Sequence, residues 1–399
     1  MTLSRRTLFQ AGLSVAGASL LPNRASAQTS ETPTIVIVNL PGGLHSLGSQ
    51  ADCFVPKNAF SCTATNSRDL GNGVVIDRAT FGQLDDSSLS RMCNLGVWHG
   101  ISAHDLAQHA LFIDARKKSY PLQLANSMGG QAPVACALLG LGLAGRHEAI
   151  GAASLQKLSD AGGILAALGA SPGGEFVPDR RTALAGLRAS VRMSAPTLTK
   201  NQRSLASMTS GLTGVVRALS TPPVDVDWSS IAQAYGLAPT TTLVSGFASQ
   251  FATAELLIHA GTSVIIVSAG GPGCTLGWDT HSDGDGVCAR AGFNDVLLPS
   301  LKTFLRRTID LPGHNVVTAL VGDFTRAVGG EHASMLVASA WGKHLRPGST
   351  GRFDIVGGYN SYVPKDGQRH GVPQLWSFLG AAAGATQTPF GANPHPFVG

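Results

Sequence analysis

Thr34-Ile35-Val36-Ile37-Val38-Asn39-Leu40 runs straight into Pro41-Gly42-Gly43. An apolar, β-branched run bounded by such a turn reads as a buried core strand. The Pro-Gly-Gly turn lets the backbone approach a neighbour closely. Working outward, the same signature recurs at Ser263-Val264-Ile265-Ile266-Val267-Ser268 and at Asn315-Val316-Val317-Thr318-Ala319-Leu320-Val321. Leu95–Ile101 is a further expected strand, and Arg352–Val356 a short edge strand.

Helical spacing is expected between these strands, at Asp105–Lys118, Asp295–Ile309 and Val372–Ala383, with Asp105 or Ser102 as the cap of the first. From about 122 to 259 the pattern is mostly helical, with segments at Ser154–Leu168, Arg180–Met193 and Val244–His259. That region reads as an insertion or cap on the sheet. No repeat at a period of about 20–50 residues is visible. Strands alternating with helices predict an α/β fold, a three-layer sandwich with a mainly parallel sheet and helices on both faces.

The N-terminus sets an expected compartment. Ser4-Arg5-Arg6-Thr7-Leu8-Phe9 is a twin-arginine pattern. A weakly apolar stretch from Ala11 to Leu21 follows, then Asn23-Arg24-Ala25-Ser26-Ala27 with small residues at the cleavage positions. The apolar stretch is shorter than the roughly 20 residues of a membrane span, so no stable membrane anchor is expected. The expected organisation is a signal peptide at 1–27, leading to periplasmic or secreted protein through the twin-arginine translocation machinery. A single domain at 28–399 carries the helical insertion. That route carries folded proteins, often with a metal or cofactor loaded.

Charged residues make up 13% and hydrophobic residues 43%, which excludes a disordered chain. The formal charge of +5 falls to about +2 once Arg5, Arg6 and Arg24 leave. No basic block interleaves with aromatics, so nucleic acid is not an expected partner. There are 6 cysteines, and an oxidising compartment permits disulfides. Cys53–Cys62 and Cys274–Cys288 are the attractive short loops, leaving Cys93 with Cys136.

Metal-capable residues follow the expected strands. His45 follows the first; Ser102, His104 and His109 the second; Asp279, His281, Asp283 and Asp285 the third; Asp323, Glu331 and His332 the fourth. His370 precedes the last helix. In a parallel sheet the loops after the strands share one edge, where ligands bind. Mixed His and carboxylate shells suit zinc, manganese or iron, and oxygen-only shells suit calcium or magnesium. Plainer readings stand beside these. Asp279 braces its own turn. Asp283-Gly284-Asp285-Gly286 is a turn signal. Asp323 pairs with Arg326. His104 and His109 do not share one helix face and serve as surface or capping residues. An EF-hand is excluded because Arg290 stands where its last carboxylate belongs. The absence of a G-x-S-x-G elbow disfavours an α/β-hydrolase.

These motifs resemble the DUF1501 family of exported bacterial proteins, in the alkaline phosphatase-like superfamily. The matching pieces are the twin-arginine pattern, Leu40-Pro41-Gly42-Gly43, the Gly277–Ser282 stretch with its Trp278-Asp279-Thr280-His281, Gly322-Asp323-Phe324-Thr325-Arg326, Gly330-Glu331-His332 and Pro389–Pro394. The chain departs from the family pattern at three places. His45 stands where Asp is usual, Glu331 where Asp often precedes the His, and Asp323-Phe324-Thr325-Arg326 where Glu-Phe-Gly-Arg is frequent.

The resemblance implies a large α/β/α sandwich and a site at the carboxyl edge holding one or two metals. The expected function is an exported, metal-dependent hydrolase of phosphate or sulfate esters, acting on a small-molecule or polymer substrate. His45, Asp279, His281, Glu331, His332 and His370 would hold a divalent ion such as zinc, manganese or calcium. The nucleophile would be water or Ser102, and His104 or His109 the proton donor. The alternative is a non-catalytic exported binding or scaffold protein that keeps the fold.

Overall fold

Val36, Val38 and Leu40 face one hydrophobic core, and Ile35 and Ile37 face another on the opposite side. This period-two division explains why the first strand is apolar throughout: both of its faces are covered. The computed structural model describes residues 31–129, 132, 134–168, 189, 226–271, 278–281, 283, 285–326, 331–356, 362–385 and 387–398. Residues 32–399 form one unit by their contacts. The twin-arginine and cleavage patterns and the Arg180–Met193 helix fall outside the described residues.

The strands are β1 (Thr32–Leu40), β2 (Ser67–Asp69), β3 (Val75–Asp77), β4 (Met92–Trp98), β5 (Cys136–Gly140), β6 (Leu155–Leu158), β7 (Val264–Ser268), β8 (His314–Gly322), β9 (Met335–Gly342), β10 (Gly348–Ser349), β11 (Phe353–Ile355) and β12 (Tyr362–Pro364). Eight of them form one sheet in the order β10-β4-β9-β8-β1-β7-β5-β6. All pairings are parallel except those of β9, which runs antiparallel to β4 and β8. The described helices on the faces include α1 (His104–Phe112), α2 (Tyr120–Ser127), α3 (Phe247–His259), α4 (Leu298–Thr308) and α5 (Val372–Ala382). Helices α3 and α4 pack on the Val36 face, and α1, α2 and α5 on the Ile35 face. The α/β sandwich expected from the sequence is the fold observed. No helix among the described residues is long and apolar enough to cross a membrane.

Several local expectations are corrected. Two strands, β5 and β6, come from the segment read as a helical insertion. Cys-Ala-Leu-Leu-Gly is short and suits either a helix or a buried strand, so its partners β6 and β7 decide. Strand β9 had no sequence reading, because its Ala, Ser and Gly content is poor in strand signal. Helix α1 ends at Phe112 rather than Lys118. There the Asp114 side chain accepts the backbone N–H groups of Arg116 and Lys118, each at 2.8 Å, and closes a turn instead. Its N-cap is Ala103, without a side-chain cap. Among the described residues, strand β11 pairs only with β12, in a small antiparallel sheet of its own.

Two expected disulfides are also corrected. Cys53, Cys62, Cys93 and Cys136 are free, buried thiols. Cys93 and Cys136 lie on β4 and β5, separated in the sheet by β9, β8, β1 and β7. At about 4.8 Å per strand that is roughly 24 Å, far beyond the reach of a disulfide. Cys62 instead donates to the Ala51 carbonyl, and Cys53 lies against Asp52 and the Phe353 amide. Cys288 is not among the free thiols, and its expected partner Cys274 falls outside the described residues.

Candidate metal centre

The register of β1 with β8 sets Leu40 opposite Gly322, so the turn after one strand lies beside the first residue after the other. The Gly42 amide donates to both oxygens of Asp323, at 3.0 and 3.2 Å. Gly42 has φ +110°, and a Cβ there would lie 2.6 Å from the Asp279 amide nitrogen. Only glycine allows the turn to touch the Trp278–Asp279 backbone in this way.

Trp278 anchors its loop. Its amide donates to Pro41 and its indole to Ala269, both at 3.3 Å, and its ring packs on Phe293 and Phe247. With Trp278 and Thr280 buried, Asp279 and His281 are left partly exposed at the sheet edge. The Asp279 carboxylate takes Arg326 Nη2 at 2.6 Å and His281 Nδ1. Arg326 is fully buried, also donates to the Gly42 carbonyl, and lies over the Phe324 ring at 5.3 Å.

Strand β9 brings the remaining residue of the group. Because it is antiparallel, its N-terminal end lies at the carboxyl edge of the parallel strands, and His332 just before it reaches the site. Arg326 and His332 form an antiparallel bridge that fixes this approach. Helix α1 starts at the same edge because β4 runs parallel to β8, which places His104 in its first turn.

His104 Nδ1 lies 2.6 Å from Asp323 Oδ2, and its Nε2 lies 3.2 Å from Asp279 Oδ2. His332 Nδ1 bonds the Ser102 carbonyl at 2.6 Å. The rings of His104 and His332 are 4.4 Å apart, and those of His281 and His332 4.1 Å apart. One ligand atom from each of His104, Asp279, His281 and His332 falls within 4.8 Å of all the others. The Nε2 atoms of both His104 and His332 are buried and make no hydrogen bond. In each case the opposite ring nitrogen is held by an oxygen, the arrangement that aims a metal-ligating histidine.

The electrostatics keep a negative group among the imidazoles. Partial burial raises the Asp279 pKa, but Arg326, His281 and His104 outweigh it and hold the carboxyl below its ordinary range. Burial depresses the His332 pKa, as do Arg326, His104 and His281, against the opposing Ser102 carbonyl. A neutral imidazole is the form that binds a metal.

The other expected site residues lie elsewhere. His45 sits between Phe54 and Phe60 and accepts the Leu47 amide at Nδ1. Burial, then Arg326 and Arg290, push its pKa down to about 3. Glu331 is exposed and outside the four-residue group. His370 stacks edge-on against His395 at 4.6 Å. His109 is exposed further along α1, and Ser102 contributes its carbonyl. Asp283 caps the helix at Val287–Ala291 by accepting the Cys288 and Ala289 amides. Asp323 pairs with His104, whereas Arg326 pairs with Asp279.

Sequence reasoning missed Gln108 and Asn39. Gln108 donates to Asp323 Oδ1 at 2.9 Å and to Asn39 Oδ1 at 3.1 Å. Its signal was available: it follows His104 by one helical step of four, on the same face. Asn39 was the lone polar residue late in an apolar strand.

No family model matches the chain, and no curated protein matches it. Among solved structures, the chain matches the crystal structure of Ps i-CgsB in complex with k-i-k-neocarrahexaose. The identity is 10%, the coverage 91% of this chain and 75% of that one, and the TM-score 0.37. The fold stated above rests on the strand order and register.

Proposed function

We propose that this protein is an exported, metal-dependent hydrolase of phosphate or sulfate esters, with one divalent ion held by His104, Asp279, His281 and His332. The observation that carries the reading is that His104 and His332, each anchored through Nδ1, keep a buried Nε2 without a hydrogen bond within the four-residue group, that of His104 lying 3.2 Å from Asp279 Oδ2. A set of three imidazoles and one carboxylate suits zinc, manganese or iron better than calcium, which takes oxygen ligands. Such an ion polarises the ester oxygen and activates a water nucleophile. Arg326 holds Asp279 in place and adds a fixed positive charge under the site, which favours an anionic ester. The twin-arginine pattern supports export, and the motifs shared with the DUF1501 family support the ester chemistry.

The test is metal analysis of the full chain, followed by turnover of aryl phosphate, phosphodiester and aryl sulfate substrates. The reading expects about one equivalent of a transition metal, lost in Asp279→Ala, and turnover that disappears in His281→Ala. Less than about half an equivalent after loading with zinc or manganese would overturn the metal site. Metal binding without turnover across the panel would favour the binding or scaffold alternative.

A further inference from the structure

Asp323 is 1% exposed at the carboxyl edge, a few ångströms from the candidate metal ligands, yet it is not one of them. Its oxygens are already committed. Oδ1 accepts the Gly42 amide at 3.0 Å and Gln108 Nε2 at 2.9 Å. Oδ2 accepts the Gly42 amide at 3.2 Å and faces His104 Nδ1 at 2.6 Å. Gln108 is in turn held by Asn39, which also reaches Ser268 Oγ at 3.4 Å. The ends of β1, β7 and β8 and the first turns of α1 are thus tied through one buried carboxylate to one ring nitrogen. A carboxylate spent on three donors has little left to give an ion. It can instead fix the ring orientation of His104, hold the proton on Nδ1, and leave the Nε2 lone pair as the only metal-facing one.

We propose that Asp323 is a positioning residue that acts through His104, and that the Asn39–Gln108 pair holds Asp323 in register for that task. The inference rests on the metal reading above, but it can fail separately. Asn at position 323 keeps the size while offering one acceptor oxygen to three donors, and its amide would face a donor. Gln108→Met removes the amide that holds Asp323 and leaves the carboxylate itself untouched.

The experiment is a chelator-competition titration of zinc into the full-length wild type, Asp323→Asn and Gln108→Met. It is joined by visible spectra of the cobalt(II)-loaded forms and by thermal melting of the metal-free proteins. The expected result is zinc binding weakened about 10- to 100-fold in Asp323→Asn and by a smaller factor in Gln108→Met. The cobalt bands should shift in both, with four-residue ligation retained. Unchanged affinity and unchanged cobalt spectra in the variants would overturn the inference while leaving the metal site intact. A loss in Asp323→Asn as complete as in Asp279→Ala, with a cobalt spectrum of lower coordination, would overturn it by making Asp323 a ligand. If Asp323→Asn fails to fold, Gln108→Met carries the decision by the same criteria. Failure of the wild type to bind zinc or cobalt would instead remove the metal reading on which the inference stands.

Discussion

Two groups of histidines lie in this protein, and their surroundings make them opposites. At the carboxyl edge, His104, His281 and His332 each bond an oxygen through Nδ1, with Asp279 among them. At the second place, His370 and His395 face one another at 4.6 Å, and His395 is 2% exposed beside Phe378. Its Nδ1 meets a hydroxyl, that of Thr350. Each group includes one histidine at a helix start, His104 opening α1 and His370 before α5, and both of these were candidates in the sequence, whereas His395 was not. Since an oxygen holds Nδ1 in both places, what separates them is the shared carboxylate: Asp279 makes the first group a candidate ligand set, whereas His395 is a buried ring packed against Phe378 and His370.

The comparison breaks most easily at Asp279. Asp279→Ala should abolish metal binding and also destabilise the metal-free protein by about 3 kcal/mol, because it strips the ion-pair partner from the buried Arg326. Urea unfolding in the presence of chelator measures that cost. A loss under about 0.5 kcal/mol would mean that the pair behaves as an exposed surface bridge. Gly42→Ala tests how the same loop is placed. The new Cβ would meet the Asp279 amide from a φ of +110°, so a cost of about 2 kcal/mol is expected, together with weaker metal binding. Wild-type affinity in that variant would show that the turn does not set the position of Asp279.

A paired substitution sharpens the comparison directly. His332→Ala should weaken zinc binding at least about tenfold, whereas His370→Ala should leave it unchanged. Equal effects at both positions, read by competition titration, would erase the distinction between the two groups.

How far the sequence led follows from where each signal resides. Strands β1, β7 and β8 were legible because burial on both faces demands unbroken β-branched runs. Asp279 and His281 were legible because they follow such a run. His332 was expected for a reason that the structure changes: it follows β8, but it reaches the site as the entry to β9, an antiparallel strand whose Ala-Ser-Ala content gave no pattern. The chain from Asn39 through Gln108 to Asp323 links residues 69 and 215 positions apart, so helical spacing could place Gln108 on the face of His104 but could not report its partners. His45 misled because position after a strand says nothing about which side chains will close over a ring. Phe54 and Phe60 do so from a segment of short turns with no strong pattern of its own.

The smallest predicted effect concerns the second group and depends on pH. Burial, then the neighbouring His370, lowers the His395 pKa to about 3 in the folded protein, against 6.5 for the free side chain. As pH falls, the unfolded chain therefore takes up this proton near 6.5, while the folded chain takes it up only near 3. Between those values the unfolded state binds more protons, so stability falls with falling pH, and below about 3 this group causes no further loss. From pH 6.5 to 5.5 the contribution is about 1 kcal/mol. Chemical denaturation of metal-free wild type and His395→Gln at the two pH values isolates it, since the carboxylates titrate alike in both proteins. The wild type should lose about 1 kcal/mol more than the variant across that interval. Parallel losses would show that His395 takes up its proton in the folded state as readily as in water, and that its burial has no hold on its protonation.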